Sequence, residues 1–427
     1  MQLNNRTYQI QGVNVLDIAD EFGLPLYVYD ADKIIEKIGL LRSSFTGTPN
    51  RGVNLKIKYA AKALTNISIL KLMRQQGVEM DSVSVNEARM GMLAGFEPSQ
   101  IMFTPSGVSF DEIREAVALG LQLNVDSLPL LEWVGQTYGS QVPISVRINP
   151  HISEGGNIKI STGHADSKFG ISILQREAIR ELVEQYQIPV AGLHIHTGSD
   201  FKNASAFLRG ADVLFDLASD YPNLTFIDFG SGFKVAYKEG DHITDVAELG
   251  RQVSEAFYNF CQQYGRDLEL WFEPGKFLVS ESGHLLVKTN IVKENPTRTF
   301  VAVDSGLNHL IRPMMYDAYH DIKNISNPSV PGEATVEKTY NVVGYICETD
   351  TFATDRSLPE VSPGDVLSFE NAGAYGFSMA SNYNARFRPA EVLVYEGHPY
   401  LIRQRETFED LLRGQEIIEF EEEFVKK

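Results

Sequence analysis

From LKIKYAAKA at Leu55–Ala63 to LELWFEPGK at Leu268–Lys276, short β-rich runs alternate with amphipathic helical ones, and the number of these runs decides the fold. Strands are expected at Leu55–Ala63, Val78–Ser84 (VEMDSVS), Ile101–Pro105 (IMFTP), Leu121–Ser127 (LQLNVDS), Pro143–Pro150 (PISVRINP), Val190–Ser199 (VAGLHIHTGS), Leu224–Gly232 (LTFIDFGSG) and Leu268–Lys276. Between them, NISILKLMRQQG, SFDEIREAVALG and ITDVAELGRQVSEAFYNFCQQYG place apolar residues near i, i+3, i+4 and i+7, the spacing of a helix with one buried face. Eight strands joined by helical crossovers fit a closed (β/α)8 barrel better than an open doubly wound sheet.

Outward from this core the texture changes. Beyond Ser280 come HLLVKTNIVKEN, TFVAVDSG, TVEKTYNVVGYI, DVLSFENAG and AEVLVYEGHPYLIRQ, separated by Gly, Pro and Asn turns, which predict a second, C-terminal all-β domain. A short helix in TFEDLLRGQ and a frayed acidic tail, EIIEFEEEFVKK, are expected at the end. With 427 residues, 43% of them hydrophobic and 22% charged, the chain has enough apolar side chain for two or three packed domains. A net charge of −18 repels phosphate backbones and argues against nucleic acid as a partner. The opening MQLNNRTYQI lacks a basic stretch followed by an apolar run, and no segment offers about 18 uninterrupted apolar residues, so no membrane partner and a cytoplasmic location are expected. Cys261 and Cys347 are too few for a disulfide framework and fit a reducing compartment.

A barrel builds its active site at the C-terminal ends of its strands, and unusual polar residues collect there. Lys62 ends the first expected strand, Asp81 lies in the second, Arg147 and Asn149 end the fifth, and His194, His196 and Ser199 the sixth. Asp228 with Gly230–Gly232 (GSG, including Ser231) ends the seventh, and Glu273, Pro274, Gly275 and Lys276 (EPGK) the eighth. The GSG and PG turns offer backbone N–H groups to an anion such as phosphate, or simply turn the chain. Lys62 is either a solvated lysine or, desolvated with a lowered pKa, one able to form a Schiff base with an aldehyde. Glu273 ends an apolar run and needs a cationic partner. His194 and His196 share a strand face as metal ligands, ring-stacking groups or core histidines. No third ligand accompanies them at a suitable sequence spacing, so metal is the weakest of the three readings. CETD (Cys347–Asp350) and GAYGFSMASNYN (Gly373–Asn384) read as polar surface loops. In RPMMY, Arg312 and Tyr316 suit a carboxylate or an interdomain contact.

Taken in order, IADEFGLPLYVYD (Ile18–Asp30), YAAKA, SKFGI (Ser167–Ile171), HIHTGS, DFGSGF, EPGK, RPMMY, CETD, GAYGFSMASNYN and RFRPAEVLV resemble the barrel family of pyridoxal 5'-phosphate (PLP) decarboxylases over nearly the whole chain. The resemblance implies that Lys62 holds PLP as a Schiff base, that His196 stacks on the pyridine face and that Glu273 pairs with the pyridine nitrogen. Asp81 joins the cofactor site. The phosphate is implied to rest on Ser199, Gly230, Ser231, Gly232 and the Pro274–Gly275–Lys276 turn, with Tyr375 reaching it. Lys276, Arg312, Tyr316, Glu348 and Tyr375 match substrate contacts, and Cys347 the thiol that reprotonates the reacting carbon. In this family Cys347 and Glu348 come from the partner subunit, which implies a homodimer with shared active sites. The N-terminal segment is implied to complete the β domain, giving a barrel of residues 31–280 and a β-rich domain of 1–30 plus 281–427.

Two residues depart from the family pattern: Lys276 where Arg is usual, and Thr197 in HTGS where the usual run is HIGS. Glu348 directly after Cys347 suits a distal ammonium, where the ornithine enzymes usually carry Asp, and Arg312 suits a second carboxylate. The implied reaction is therefore decarboxylation of the small amino acid meso-2,6-diaminopimelate to L-lysine, in preference to ornithine, arginine or carboxynorspermidine. A catalytically dead binding homologue typically loses cofactor contacts, and Lys62, His196, Glu273 and Cys347 are all present.

Overall fold

The computed structural model describes residues 1–46, 53–152, 167–196, 198, 204–329, 331–332 and 336–420. Eight parallel strands form the barrel: Asn54–Ala60, Glu79–Ser82, Ile101–Phe103, Gln122–Val125, Ile144–Asn149, Val190–Ile195, Phe226–Asp228 and Glu269–Phe272. The eighth pairs with the first, Trp271 opposite Lys56, and this closes the ring. A ninth, two-residue strand, Ile171–Ser172, lies alongside the fifth and was not expected. Each barrel strand stops short of its expected C-terminal end, because the polar, Gly and Pro residues there peel away from the ladder to form the rim. The acidic tail falls partly on residues 421–427, outside those described.

The crossover helices start where side chains cap them. Asn66 accepts from the Ser68 N–H, Ser109 from Glu112 and Asp245 from Glu248. The helix Val246–Tyr264 buries Leu249, Val253, Phe257 and Phe260 along one stripe. It packs on the helix Ala31–Thr46 so tightly that a Cβ at Gly250 would stand 2.2 Å from the Ser44 carbonyl oxygen.

Inside the barrel the two-residue period points Lys58, Met102, Phe226 and Trp271 at the axis, one level below the rim residues. The Phe226 and Trp271 rings stack with centroids 3.5 Å apart. Lys58, fully buried, lies 4.1 Å over the Trp271 ring, with Nζ 2.8 Å from Glu79 Oε2 and 2.8 Å from Gln122 Oε1. This layer forms a floor. A cavity of about 410 Å³ lined by Gln122, Ser145, Phe226, Glu269 and Trp271 opens on its far side.

The second domain is built on a twisted sheet in the order Thr351–Pro359, Glu337–Val343, Thr299–Val303, Gly283–Glu294, Leu26–Asp30, Ala390–Tyr395 and His398–Arg403. The strand Val366–Phe369 also pairs with Gly283–Glu294. The N-terminal segment does join this sheet: Leu26–Asp30 runs antiparallel to Gly283–Glu294 on one side and parallel to Ala390–Tyr395 on the other. Strands Ile322–Asn324 and Thr351–Pro359 were not foreseen. The domain is mostly sheet and not purely β, since the short helices Val15–Phe22, Arg312–Tyr316 and Phe408–Leu412 belong to the same chain segments. Among the described residues no helix is long and apolar enough to cross a membrane.

Candidate active site

Lys62 sits in a 3-10 turn, Ala61–Ala63, just past the first strand and not on its last residue as the sequence suggested. Its alanine neighbours are buried while Lys62 keeps an open face toward the barrel mouth. Two other parts of the chain clamp this turn. The Ala60 N–H donates to the Pro274 carbonyl at 3.3 Å, and the Ala63 carbonyl accepts from the Tyr375 N–H at 2.8 Å and Ser378 Oγ at 3.1 Å. Tyr375 is held in the left-handed region, φ 58°, a conformation uncommon for a bulky side chain. Desolvation draws the Lys62 ammonium down, but Asp81, Tyr375 and Glu273 outweigh it and hold the pKa above its ordinary value. A lowered value, which desolvation alone would give, is reversed by the acids facing it.

Across the mouth, Glu273 is 7% exposed and lies just past the eighth strand, Glu269–Phe272. Its Oε2 lies 3.1 Å from Nε2 of His194, and its Oε1 is buried without a partner. Burial would raise the Glu273 pKa, but the His194 hydrogen bond and the Lys62 charge hold it below the usual carboxylate range. Burial, in turn, lowers His194, which is therefore a neutral imidazole donating from Nε2. Asp228 accepts the Gly230 N–H at 2.8 Å. Burial and the Glu273 charge push Asp228 well above the usual carboxylate range, and Asp81, whose Oδ1 also lacks a partner, behaves likewise. One ligand atom each of His194, Asp228 and Glu273 falls within 4.8 Å of the others. The sequence spacing hid this cluster, because three separate strands supply it. His194 Nε2 and Glu273 Oε2 are engaged with each other and Asp228 with the Gly230 N–H, which weakens the case for a metal at this cluster.

His196, just past the sixth strand, accepts the Ser231 N–H on Nδ1 at 3.1 Å, and burial holds it well below its ordinary pKa. Two of the three GSG amides are thus engaged within the chain, Gly230 on Asp228 and Ser231 on His196. Gly230 (φ 60°) has no room for a side chain, since a Cβ would stand 2.7 Å from the Ile195 carbonyl oxygen. At Gly275 a Cβ would meet Ala63 at 3.1 Å and Ala60 at 3.2 Å, and Lys276 opens the short helix that follows. Thr197 and Ser199 lie outside the described residues.

Arg312, 8% exposed, donates from Nη1 to Tyr237 Oη at 3.1 Å and faces His320 Nε2 at 3.3 Å, while its Nε is buried without a partner. Tyr316 closes the same short helix. Tyr237, from the loop after the seventh strand, and His320 carried no sequence signal marking them for this site. Cys347 and Glu348 lie elsewhere on the surface of the β domain. Asn384 donates to Cys347 Sγ at 3.3 Å, Tyr383 donates to Glu348, and Cys347 is exposed.

A buried, ionised carboxylate with a free oxygen, a lysine opposite and two turns without room for side chains fit a flat, cationic heterocycle bearing an aldehyde and a phosphate. PLP has this chemistry. A family model described as pyridoxal-dependent decarboxylase, pyridoxal binding domain, matches residues 31–280, so the class is that of the pyridoxal-dependent, barrel-type decarboxylases. The diaminopimelate decarboxylase of Methanothermobacter thermautotrophicus is 36% identical over 416 residues, 96% of this chain and 95% of that one. Among solved structures, diaminopimelate decarboxylase of M. jannaschii in complex with L-lysine superimposes with a TM-score of 0.86 at 31% identity, covering 98% of each chain. The Helicobacter pylori enzyme complexed with L-lysine gives 0.83 at 33% identity, covering 94% of this chain and 98% of that one. The chain belongs to the diaminopimelate decarboxylase family, and it is a carboxy-lyase that uses PLP.

Proposed function

We infer that this enzyme converts meso-2,6-diaminopimelate to L-lysine and CO2, the bond to one carboxylate breaking and a proton taking its place on the same carbon. The observation that carries the reading is Glu273, ionised and with Oε1 free, across the barrel mouth from Lys62. Bound PLP supplies the electron sink for the pair released when CO2 departs.

The chain's own residues divide the remaining work. Lys62 is the attachment point for the cofactor aldehyde, and Glu273 keeps the ring nitrogen protonated. His196, held by Ser231, covers the ring face. The turns Gly230–Gly232 and Pro274–Lys276, with Ser199 and Tyr375, receive the phosphate, and Asp81 faces Lys62 at the cofactor site. Arg312 with Tyr316, Lys276 and Tyr375 holds the substrate's distal carboxylate, and Glu348 its distal ammonium. Cys347 returns the proton to the reacting carbon. Because Cys347 and Glu348 sit on an outer face of the β domain, the reading assigns them to the site of a second copy and the active form to a homodimer. It divides the chain into 31–280 and 1–30 plus 281–427, supported by the pairing of Leu26–Asp30 with Gly283–Glu294. The unpaired cysteines suit a cytoplasmic enzyme.

Reduction with borohydride followed by peptide mapping is expected to leave a pyridoxyl mass on the Lys62 peptide, and CO2 release is expected to be fastest from meso-diaminopimelate. A label on a different lysine would overturn the site. A higher kcat/KM for ornithine or carboxynorspermidine would overturn the substrate.

A further inference from the structure

Three adjacent barrel strands bring together His194, Asp228 and Glu273, one ligand atom of each within 4.8 Å of the others: His194 stands beside Asp228 in the ladder, Asp228 beside Trp271, and Glu273 follows two residues on. Among sequence features, His194 and Asp228 had no assigned role, and the reaction as described above uses neither. We propose that His194 and Asp228 are positioning residues that hold Glu273 as a weak base, with Oε2 engaged from below and Oε1 presented to the pyridine nitrogen. This rests on the reading that Glu273 faces that nitrogen.

The geometry allows little else. His194 is 1% exposed, and its Nε2 meets Oε2 at 3.1 Å; Asp228, raised in part by a side-chain hydrogen bond to the same carboxylate, lies against it as well, and Oε1 has no donor of its own. The backbone fixes the carboxylate's neighbours as well. The Glu273 N–H donates to the Gly230 carbonyl at 2.6 Å, and the Gly230 N–H returns to Asp228 at 2.8 Å. Strands hold groups more rigidly than loops do, which suits a contact that must keep its alignment.

A carboxylate whose far oxygen accepts a hydrogen bond has lower proton affinity at the near one. A proton shared between Oε1 and the ring nitrogen then stays on nitrogen, and the ring keeps its electron-withdrawing charge throughout the reaction. The groups facing Glu273 are His194, Asp228, Lys62, His196, Asp81 and Arg147. Of the three acids, Asp81 and Asp228 are pushed upward while Glu273 is drawn down, so Glu273 is the carboxylate that most readily carries the cluster's negative charge. His194 is itself neutral, which lets it donate without placing a second cation beneath a pyridinium.

The test uses holoenzyme loaded with PLP carrying 15N in the ring, whose chemical shift reports protonation of that nitrogen directly. In the wild type a protonated ring is expected across the enzyme's working pH range. Glu273→Gln is expected to move the signal toward the unprotonated value. His194→Leu, which fills the space without a donor, is expected to move it in the same direction and to lower kcat about 10- to 100-fold with KM little changed. His194→Gln, whose amide nitrogen reaches the Nε2 position, and Asp228→Asn, a neutral donor, are expected to keep the wild-type signal. If His194→Leu does not fold, His194→Asn, too short to reach Oε2, carries the same expectation. A wild-type signal in the donor-less variant alongside a shifted one in Glu273→Gln overturns this proposal alone. An unshifted signal in Glu273→Gln overturns the reading beneath it.

Discussion

Single atoms decide much of this site. Gly230 adopts φ 60°, and the Cβ of an alanine there would press on the Ile195 carbonyl at 2.7 Å and on His196 Nδ1 at 2.8 Å. Gly230→Ala is therefore expected to destabilise the fold by about 1–3 kcal/mol, read by urea unfolding, and to weaken PLP binding by displacing His196. Wild-type cofactor affinity in this variant would show that the seat of His196 does not matter. Lys62 and Glu273 were legible in the sequence because a lysine between alanines and a carboxylate at the end of an apolar strand each stand out against their surroundings. The partnership of Glu273 with His194 and Asp228 was not legible, because it joins positions on three strands through space. The direction of the Lys62 shift was hidden for the same reason: desolvation is local to YAAKA, whereas the opposing acids arrive from elsewhere in the barrel.

Among the elements, the short helix Arg312–Tyr316 is held by what surrounds it. His320 donates from Nδ1 to the Glu370 carbonyl at 2.9 Å, which leaves Nε2 as an acceptor for Arg312. Losing a hydrogen bond to a charged group costs about 1.5–3 kcal/mol, so His320→Leu is expected to raise KM for meso-diaminopimelate roughly tenfold or more, with a smaller effect on kcat. Unchanged KM would dissociate Arg312 from the substrate. The same histidine contributes to a pH dependence. Burial holds His320 at about 3 and His309 at about 4 in the folded chain, against about 6.5 when unfolded. The unfolded chain binds more protons in that interval, so their contribution to stability is lost as pH falls from about 6.5 to about 4 for His309 and to about 3 for His320. Asp304, raised by burial to about 6, acts in the opposite sense, its contribution being lost as pH rises toward 6, and offsets part of the effect. The Tm is expected to fall on acidification, and to fall less steeply in a His309→Gln, His320→Gln variant; parallel curves would refute this origin. The eight barrel strands were legible from periodicity, whereas Thr351–Pro359 was not, since TFATDRSLP exposes charged residues along a strand and ends in proline.

At the scale of the molecule, Lys62 on the barrel and the exposed Cys347 on the β domain lead to an experiment on mixed subunits. Combining Lys62→Ala chains with Cys347→Ala chains is expected to restore activity, to about half the wild-type rate per heterodimer, because one of two reciprocal sites then draws only on unaltered segments. If mass spectrometry of tagged chains shows exchange and Cys347→Ala alone is severely impaired, absence of restoration would place both residues in one chain's site. That a mostly-sheet domain follows the barrel was legible from the change of texture beyond the eighth strand, but the path of the chain between them was carried only by the family resemblance. That path has a consequence for synthesis on the ribosome. Leu26–Asp30 is among the first segments to emerge, yet its parallel neighbour Ala390–Tyr395 follows roughly 360 residues later. At about 5–20 residues per second the early strand waits roughly 20 to 70 s before its edge toward that neighbour is covered. The barrel is finished well before then, so the nascent enzyme passes through a stage in which a complete cofactor-binding half trails an apolar ribbon, LYVYD, that sticks to any available sheet edge unless it is shielded.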